Sequence, residues 1–197
     1  MRSDVIAIKT YGSDEDIAKA AAISFGAKYT YNVDGIIKQL VTKKETTPLE
    51  FASIWFYIRC TLGCHRQFLQ YRVSSRITRS FRRTKPIELE NEDLIALDTT
   101  EDEQIVINKS LENYELLYNK YKSRETAKKA LCLFNLTEFY MLINLRNLIH
   151  LIEERTHQSA EDEIRKLAES MKNIVKMNFP ILYKYALGEK NGYIQGR

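Results

Sequence analysis

Ser53-Ile-Trp-Phe-Tyr-Ile-Arg59 is the stretch that decides how this chain folds. Aromatic and β-branched residues dominate it, so it reads as the best strand in the sequence. It hands over at Gly63 to a helix of roughly two turns, Cys64 to Tyr71, and then to an irregular basic loop. From Arg59 to Lys85 the chain carries eight cations (Arg59, Arg66, Arg72, Arg76, Arg79, Arg82, Arg83 and Lys85), and no Asp or Glu occurs from Phe51 to Ile87. The whole chain holds 30 Lys and Arg against 26 Asp and Glu, so the remainder has 22 cations for the same 26 acids. A net charge of +4 therefore conceals one concentrated anion-attracting segment. Arginine offers phosphate oxygens a planar fork of donors, and neighbouring Ser or Thr hydroxyls complete the cradle.

Upstream of the strand, Asp4 to Lys9 alternates polar and β-branched residues and reads as a short strand. Ser13-Asp-Glu-Asp16 has the cap and early acids of a helix start, and Ile17 to Ile23 continue it. Asp34 to Lys43 is a second amphipathic helix, and Thr47-Pro-Leu-Glu-Phe51 a turn or short helix. Downstream, Ile87 to Leu97 is weakly strand-like and acidic. Glu101 to Lys122 is a long amphipathic helix, and Arg124 to Ala130 continues helical after a break at Ser123. Leu136 to Asn144 has the aromatic and β-branched content of a buried strand, with a helix as the alternative for so apolar a run.

Leu145, Leu148, Ile149 and Ile152 fall at helical spacing, so Asn144 to Arg155 is a helix with a core face. Ser159 is expected to cap the next helix, whose stripe is Ile164, Leu167, Ala168, Met171, Ile174 and Val175. Phe179-Pro180 stops it, Ile181 to Leu187 forms a last short helix, and 188–197 reads as a frayed tail. The sum is a helix-rich α+β single domain over 1–197.

A chain of 197 residues with 28% charged and 44% hydrophobic residues is an ordinary soluble globular protein. No apolar run reaches the ~18 residues of a membrane span, and the N-terminus lacks a signal-peptide layout, so a cytoplasmic protein is expected. Three cysteines, Cys60, Cys64 and Cys132, read as reduced and mostly buried thiols. Cys60, Cys64 and His65 lack the closely spaced pairs of a zinc site, so no metal is expected. Gly12, Gly26, Gly35 and Gly63 stand alone, which removes the glycine-rich phosphate loops. In the basic stretch Phe68, Leu69, Val73, Ile77 and Phe81 interleave with the arginines. That apolar content argues against a free nucleic-acid-binding tail and for a packed loop with a few arginines held inward.

These residues reach a resemblance. The signature of the flavin-dependent thymidylate synthases is Arg-His-Arg, seven residues and then Ser; here Gln70-Tyr71-Arg72 is followed by Val73 to Arg79 and then Ser80. Gln67, Ser75 and Arg82 also stand where that family tends to have Gln, Ser and Arg. Thr47-Pro-Leu-Glu-Phe51 resembles its Pro-Leu-Glu-His segment. Thr137 to His150, Arg155, Glu163-Ile-Arg165 and Phe179-Pro180 resemble its second half. Three collinear blocks cover nearly the whole chain.

The resemblance implies a small, mostly antiparallel sheet within the α+β domain. It also implies reductive methylation of dUMP to dTMP, with FAD as cofactor and NADPH and methylene-tetrahydrofolate as co-substrates. The flavin would meet Ser53, Gln70, Tyr71, Arg72, Thr78, Asn144, Arg146 and His150. The nucleotide would meet Gln67, Arg79, Ser80, Arg82 and Lys128. Arg155 would take the pyrimidine edge as the catalytic cation, because a fixed positive charge stabilises the negative charge that develops as C5 becomes nucleophilic. A homotetramer with sites shared between subunits is implied as well.

The chain departs from the family at Gln70, Tyr71, Phe51, Thr78, Arg83 and Lys128, where Arg, His, His, an acid, Tyr and Arg are usual. Losing two cationic or titratable groups near a flavin changes its redox poise. Two alternatives stay open: a paralogue that modifies another pyrimidine nucleotide at C5, and a catalytically silent nucleotide- or nucleic-acid-binding homologue.

Overall fold

The computed structural model describes residues 4–24, 26, 32–87 and 100–188. The acidic segment expected as a weak strand lies outside these residues except for Ile87, and so does the expected tail beyond Gly188. The chain runs β1 (Asp4–Tyr11), α1 (Asp14–Ser24), α2 (Val33–Lys43), a 3-10 turn (Thr47–Phe51), β2 (Ser53–Thr61), α3 (Leu62–Phe68) and β3 (Ser74–Thr78). It continues through α4 (Glu101–Tyr121), α5 (Arg124–Ala127), a second 3-10 turn (Lys128–Ala130), β4 (Leu136–Asn144), α6 (Leu145–Arg155), α7 (Asp162–Asn178) and α8 (Pro180–Ala186). The four strands form an antiparallel sheet in the order β1-β2-β4-β3. The helix-rich α+β expectation holds, with strand rather than helix at Leu136–Asn144.

Alternation explains the strands. In β2, Ile54, Phe56 and Ile58 are buried while Ser53, Trp55 and Tyr57 are half-buried, so one face of the pleat is core and the other is not. In β4, Phe139, Met141 and Ile143 are buried and Tyr140 and Leu142 exposed. Part of the stretch read as an irregular loop is β3, an edge strand of Ser, Arg and Thr around a single Ile. Arginine and serine carry little strand preference of their own, and it is pairing beside β4 that makes this segment extended.

Among the described residues two compact units are distinguished. One is drawn from Met1–Ile6, Tyr57–Arg72 and Arg76–Met141, the other from Ala7–Phe56, Val73–Ser75 and Leu142–Arg197. In the first, Thr61 caps α3 by accepting from the Cys64 N–H at 3.1 Å, and Leu62 and Gly63 N–H groups donate to the Asn135 and Leu133 carbonyls at 2.9 Å each. Phe68, Ile107, Tyr114, Leu136 and Phe139 are buried there, together with Cys60 and Cys64; Cys132 is half-buried, and all three thiols are free.

In the second unit α1 and α2 pack together, α2 and α7 meet α8, and α6 packs on α7. The α7 stripe is buried as its spacing predicts. Phe179 supplies no side-chain cap to α8; Asp14 of α1 does, accepting from the N–H groups of Ile181 at 2.8 Å and Leu182 at 3.0 Å. A carboxylate there satisfies orphan donors and meets the positive end of the helix dipole. Gly12 sits at φ +78°, and a Cβ on it would lie 3.1 Å from Ala52 Cβ, so conformation and space both select glycine. The expected Ser159 cap is corrected: α7 starts at Asp162 without a side-chain cap, and the Ser159 N–H donates to His157 Nδ1. Asp162 and Glu163 supply the early acids instead. Among the described residues no helix is long and apolar enough to cross a membrane.

Candidate functional site

In the first unit the basic stretch is folded around its own hydrogen bonds. Arg76 Nη1 donates to the Phe68 carbonyl at 2.5 Å, tying β3 to the end of α3. Thr78 Oγ1 lies 3.2 Å from Nε2 of His65, whose ring packs edge-on against Phe139. Burial, with the Arg76 charge adding to it, holds His65 below the ordinary histidine pKa, so the neutral ring is favoured. A turn follows in which the Arg83 and Thr84 N–H groups both donate to the Ser80 carbonyl, at 2.9 and 3.0 Å.

Arg79 is held by both its backbone and its side chain. Its backbone N–H donates to the Glu138 carbonyl at 2.9 Å, and its Nη1 to Glu138 Oε1 at 2.7 Å. Nε donates to Thr84 Oγ1 at 3.1 Å and Nη2 to the Lys85 carbonyl at 3.3 Å. On its other oxygen Glu138 accepts from the Tyr57 hydroxyl at 2.6 Å. Burial pushes the Glu138 carboxyl up, but the Tyr57 and Arg79 hydrogen bonds and the Arg79 and Arg59 charges outweigh it and hold it below the usual carboxylate range. Burial and the same carboxylate push the Tyr57 phenol up to about 12. Beside this network is a cleft of about 380 Å³ bordered by Thr78, Arg79, Ser80, Arg83, Tyr57 and Tyr140.

The inward-held arginines are found, in Arg76 and Arg79, but the packed loop is only partly so. Phe68 is buried, whereas Leu69, Val73 and Ile77 are exposed. Of the residues expected to meet the nucleotide, Arg79 and Ser80 line the cleft together with Thr78, which was expected at the flavin. Gln67 is half-buried on α3, Lys128 is half-buried in the second 3-10 turn, and exposed Arg82 pairs with Glu125 at 3.6 Å. Tyr71 is buried between exposed Gln70 and Arg72.

The second unit has a cleft of about 760 Å³ bordered by His150, Glu153, Arg155, His157, Ser159 and Lys172. It brings two of the expected residues together, His150 and Arg155. Arg155 is half-buried in the last turn of α6, where a cation meets the negative end of the helix. His150 Nε2 lies 3.6 Å from Glu154 one turn on. Burial raises the Glu153 carboxyl, against the opposing charges of His150 and Lys44. Ser53, Asn144 and Arg146 do not line this cleft. Asn144 caps α6, its Oδ1 accepting from the Asn147 N–H at 3.0 Å, and Arg146 pairs with Glu50 at 2.5 Å.

The sequence model of a family described as thymidylate synthase complementing protein matches residues 6–181. The chain belongs to this family. Flavin-dependent thymidylate synthases resemble it along most of its length. That of Wolbachia pipientis wMel is 28% identical over 199 residues, covering 87% of this chain and 69% of the relative. That of Ehrlichia ruminantium (strain Gardel) is 30% identical over 196 residues, covering 87% and 66%. The chain thus spans about two thirds of the length of the curated relatives it matches. In fold it is similar to a UMP/dUMP methylase, PolB from Streptomyces cacaoi bound with 5-Br dUMP, with a TM-score of 0.79, 22% identity and coverage of 93% and 95%. The expectation of an enzyme stands: this is a methyltransferase family.

Family membership makes the residues that sequence reading passed over more informative. Tyr57, Glu138, Tyr140 and Thr84 border the first cleft, and Glu153, His157 and Lys172 the second. One signal was available. Glu138 is the lone acid in the apolar run Leu136–Asn144, and a basic stretch without acids from 51 to 87 must find its counter-charge elsewhere in the chain.

Proposed function

We infer that this chain is a flavin-dependent methylase of a pyrimidine nucleotide, converting dUMP to dTMP with methylene-tetrahydrofolate as carbon donor and NADPH as reductant. The observation that carries this reading is the first unit's cleft. There the end of the spaced signature, Thr78-Arg79-Ser80, sets a guanidinium and hydroxyls beside two aromatic rings, Tyr57 and Tyr140, 5.7 Å apart. Arg79 and the exposed Ser80 hydroxyl take the phosphate, and Arg83 adds charge at the rim. An exposed ring such as Tyr140 offers a planar base a surface to rest on. The family resemblance adds Arg155, in a site shared between subunits, as the fixed positive charge for the pyrimidine as negative charge develops on it.

The residues present fit a flavin dinucleotide. Arg146 and His150 stand one turn apart on the exposed side of α6, and Gln70 and Arg72 are exposed beyond α3. In each unit taken by itself, a polyanionic cofactor meets accessible donors: cationic ones on α6, and an amide and a guanidinium beyond α3. Bound FAD would supply the redox chemistry; the protein orients the nucleotide and screens its charge. The same reading carries a homotetramer with shared sites and a cytoplasmic location. A second reading, the same chemistry on another pyrimidine nucleotide, rests on Gln70 and the buried Tyr71 standing where the family has Arg and His.

The test is the visible absorption of the purified protein with added FAD, followed through titration with dUMP and bleaching by NADPH. Flavin that binds, responds to dUMP and is reduced supports the thymidylate reading. A response to another pyrimidine nucleotide but not to dUMP supports the second reading. No flavin binding at any concentration overturns both.

A further inference from the structure

Among the described residues Arg79 spends three of its five N–H groups on the protein, on Glu138, Thr84 and the Lys85 carbonyl. Two N–H groups remain for a ligand, on a guanidinium that three partners fix in one orientation. The Glu138 end is itself fixed, because the Tyr57 hydroxyl donates to its second oxygen at 2.6 Å. Arg79 and Glu138 side chains keep only 26% and 31% of their surface, so the pair is sheltered from screening but still open on the cleft side. Arg59, buried two residues along β2 from Tyr57, adds a positive charge near the carboxylate.

An acid placed this way has two opposite consequences for an anion in the cleft. Its charge opposes the anion, while its hydrogen bond removes the rotamer freedom an arginine otherwise loses on binding. The second effect is local and geometric. The first is already offset by Arg59 and Arg79.

We propose that Glu138, held by Tyr57, is a positioning residue that presents Arg79 to the phosphate of the nucleotide. This rests on the nucleotide reading of the same cleft. Neither Glu138 nor Tyr57 touches the reacting atoms; both act through the arginine.

Titration calorimetry on the full chain, with dUMP and with deoxyuridine as its phosphate-free control, tests the two readings separately. Wild-type protein that binds no pyrimidine nucleotide overturns the nucleotide reading and this inference with it. Given dUMP binding by the wild type, Glu138→Ala is expected to weaken dUMP about tenfold or more and to leave deoxyuridine unchanged. Glu138→Gln, whose amide oxygen still accepts from Arg79, is expected to restore dUMP to within about threefold. Tighter dUMP binding by Glu138→Ala means that the acid only neutralises Arg79, and overturns the proposal. Equal losses for dUMP and deoxyuridine assign Glu138 a merely structural role, and overturn it as well. If Glu138→Ala does not fold, Tyr57→Phe carries the test. It removes the hydroxyl donor without opening a cavity and is expected to cost dUMP about threefold; unchanged affinity overturns the proposal.

Discussion

The two clefts use positive charge in different ways. In the first unit Arg79 is tied to one carboxylate, one hydroxyl and one carbonyl, and its acid is tied in turn to a phenol. In the second, His150, Arg155, His157 and Lys172 share the walls with Glu153 and Glu154, and the described His150–Glu154 pair is loose at 3.6 Å. The first arrangement is fixed by the protein's own hydrogen bonds, which suits a fixed group such as a phosphate. The second mixes signs around a wider space, which suits a group whose charge changes during reaction.

The comparison breaks most heavily at the support of the first cleft. Phe139 is 2% exposed, borders that cleft, and packs edge-on against His65 and Phe68 with ring centroids 4.8 and 5.5 Å away. Phe139→Ala is expected to cost about 3–5 kcal/mol in denaturant unfolding. A loss below about 1 kcal/mol would mean that the cleft does not rest on this core. Arg155→Ala is expected to lower turnover about 10²–10³-fold while flavin absorbance is retained, as measured by product formation and a flavin titration. Retained turnover would remove Arg155 from the chemistry.

Arg79→Lys keeps the charge but loses the fork that serves Glu138 and a ligand together. An approximately tenfold loss of nucleotide affinity is expected; an unchanged value would mean that charge alone suffices there.

Titration sharpens the same contrast. The Tyr57 phenol is raised from 10.0 to about 12, so the folded state favours its protonated form. Its contribution to stability is full below pH 10.0 and is lost as pH rises through about 12. Tyrosinate absorbance is expected to lose a step near pH 12 in Tyr57→Phe. Glu138 has the opposite sign. Held below the ordinary carboxylate range, it contributes stability above that range and loses it as pH falls through its depressed pKa. The smallest effect belongs to the exposed Arg146–Glu50 pair, where Arg146→Ala is expected to change unfolding stability by less than about 1 kcal/mol.

Periodicity made most elements legible. The alternation around Ile54, Phe56 and Ile58 and the helical stripe from Ile164 to Val175 appear in the structure where the spacing put them. The spaced signature ending at Ser80 brought Thr78, Arg79 and Ser80 to attention, and one cleft gathers them. Glu138 and Tyr57 were not legible as partners, because 81 residues separate them and neither belongs to a local motif. The β3 strand was missed for a related reason. Ser74 to Thr78 carries little preference of its own, and its extended form comes from a neighbour that arrives only with β4.

By itself the sequence determined what depends on near neighbours: the hydrophobic periods, the break at Pro180 and the concentration of arginine between residues 59 and 83. Tertiary structure alone decided which acid answers that charge and how Asp14 comes to cap α8, 167 residues away. Hydrogen bonds and ion pairs act over a few ångströms with no memory of chain separation, so their partners are settled only when packing brings the strands and helices together.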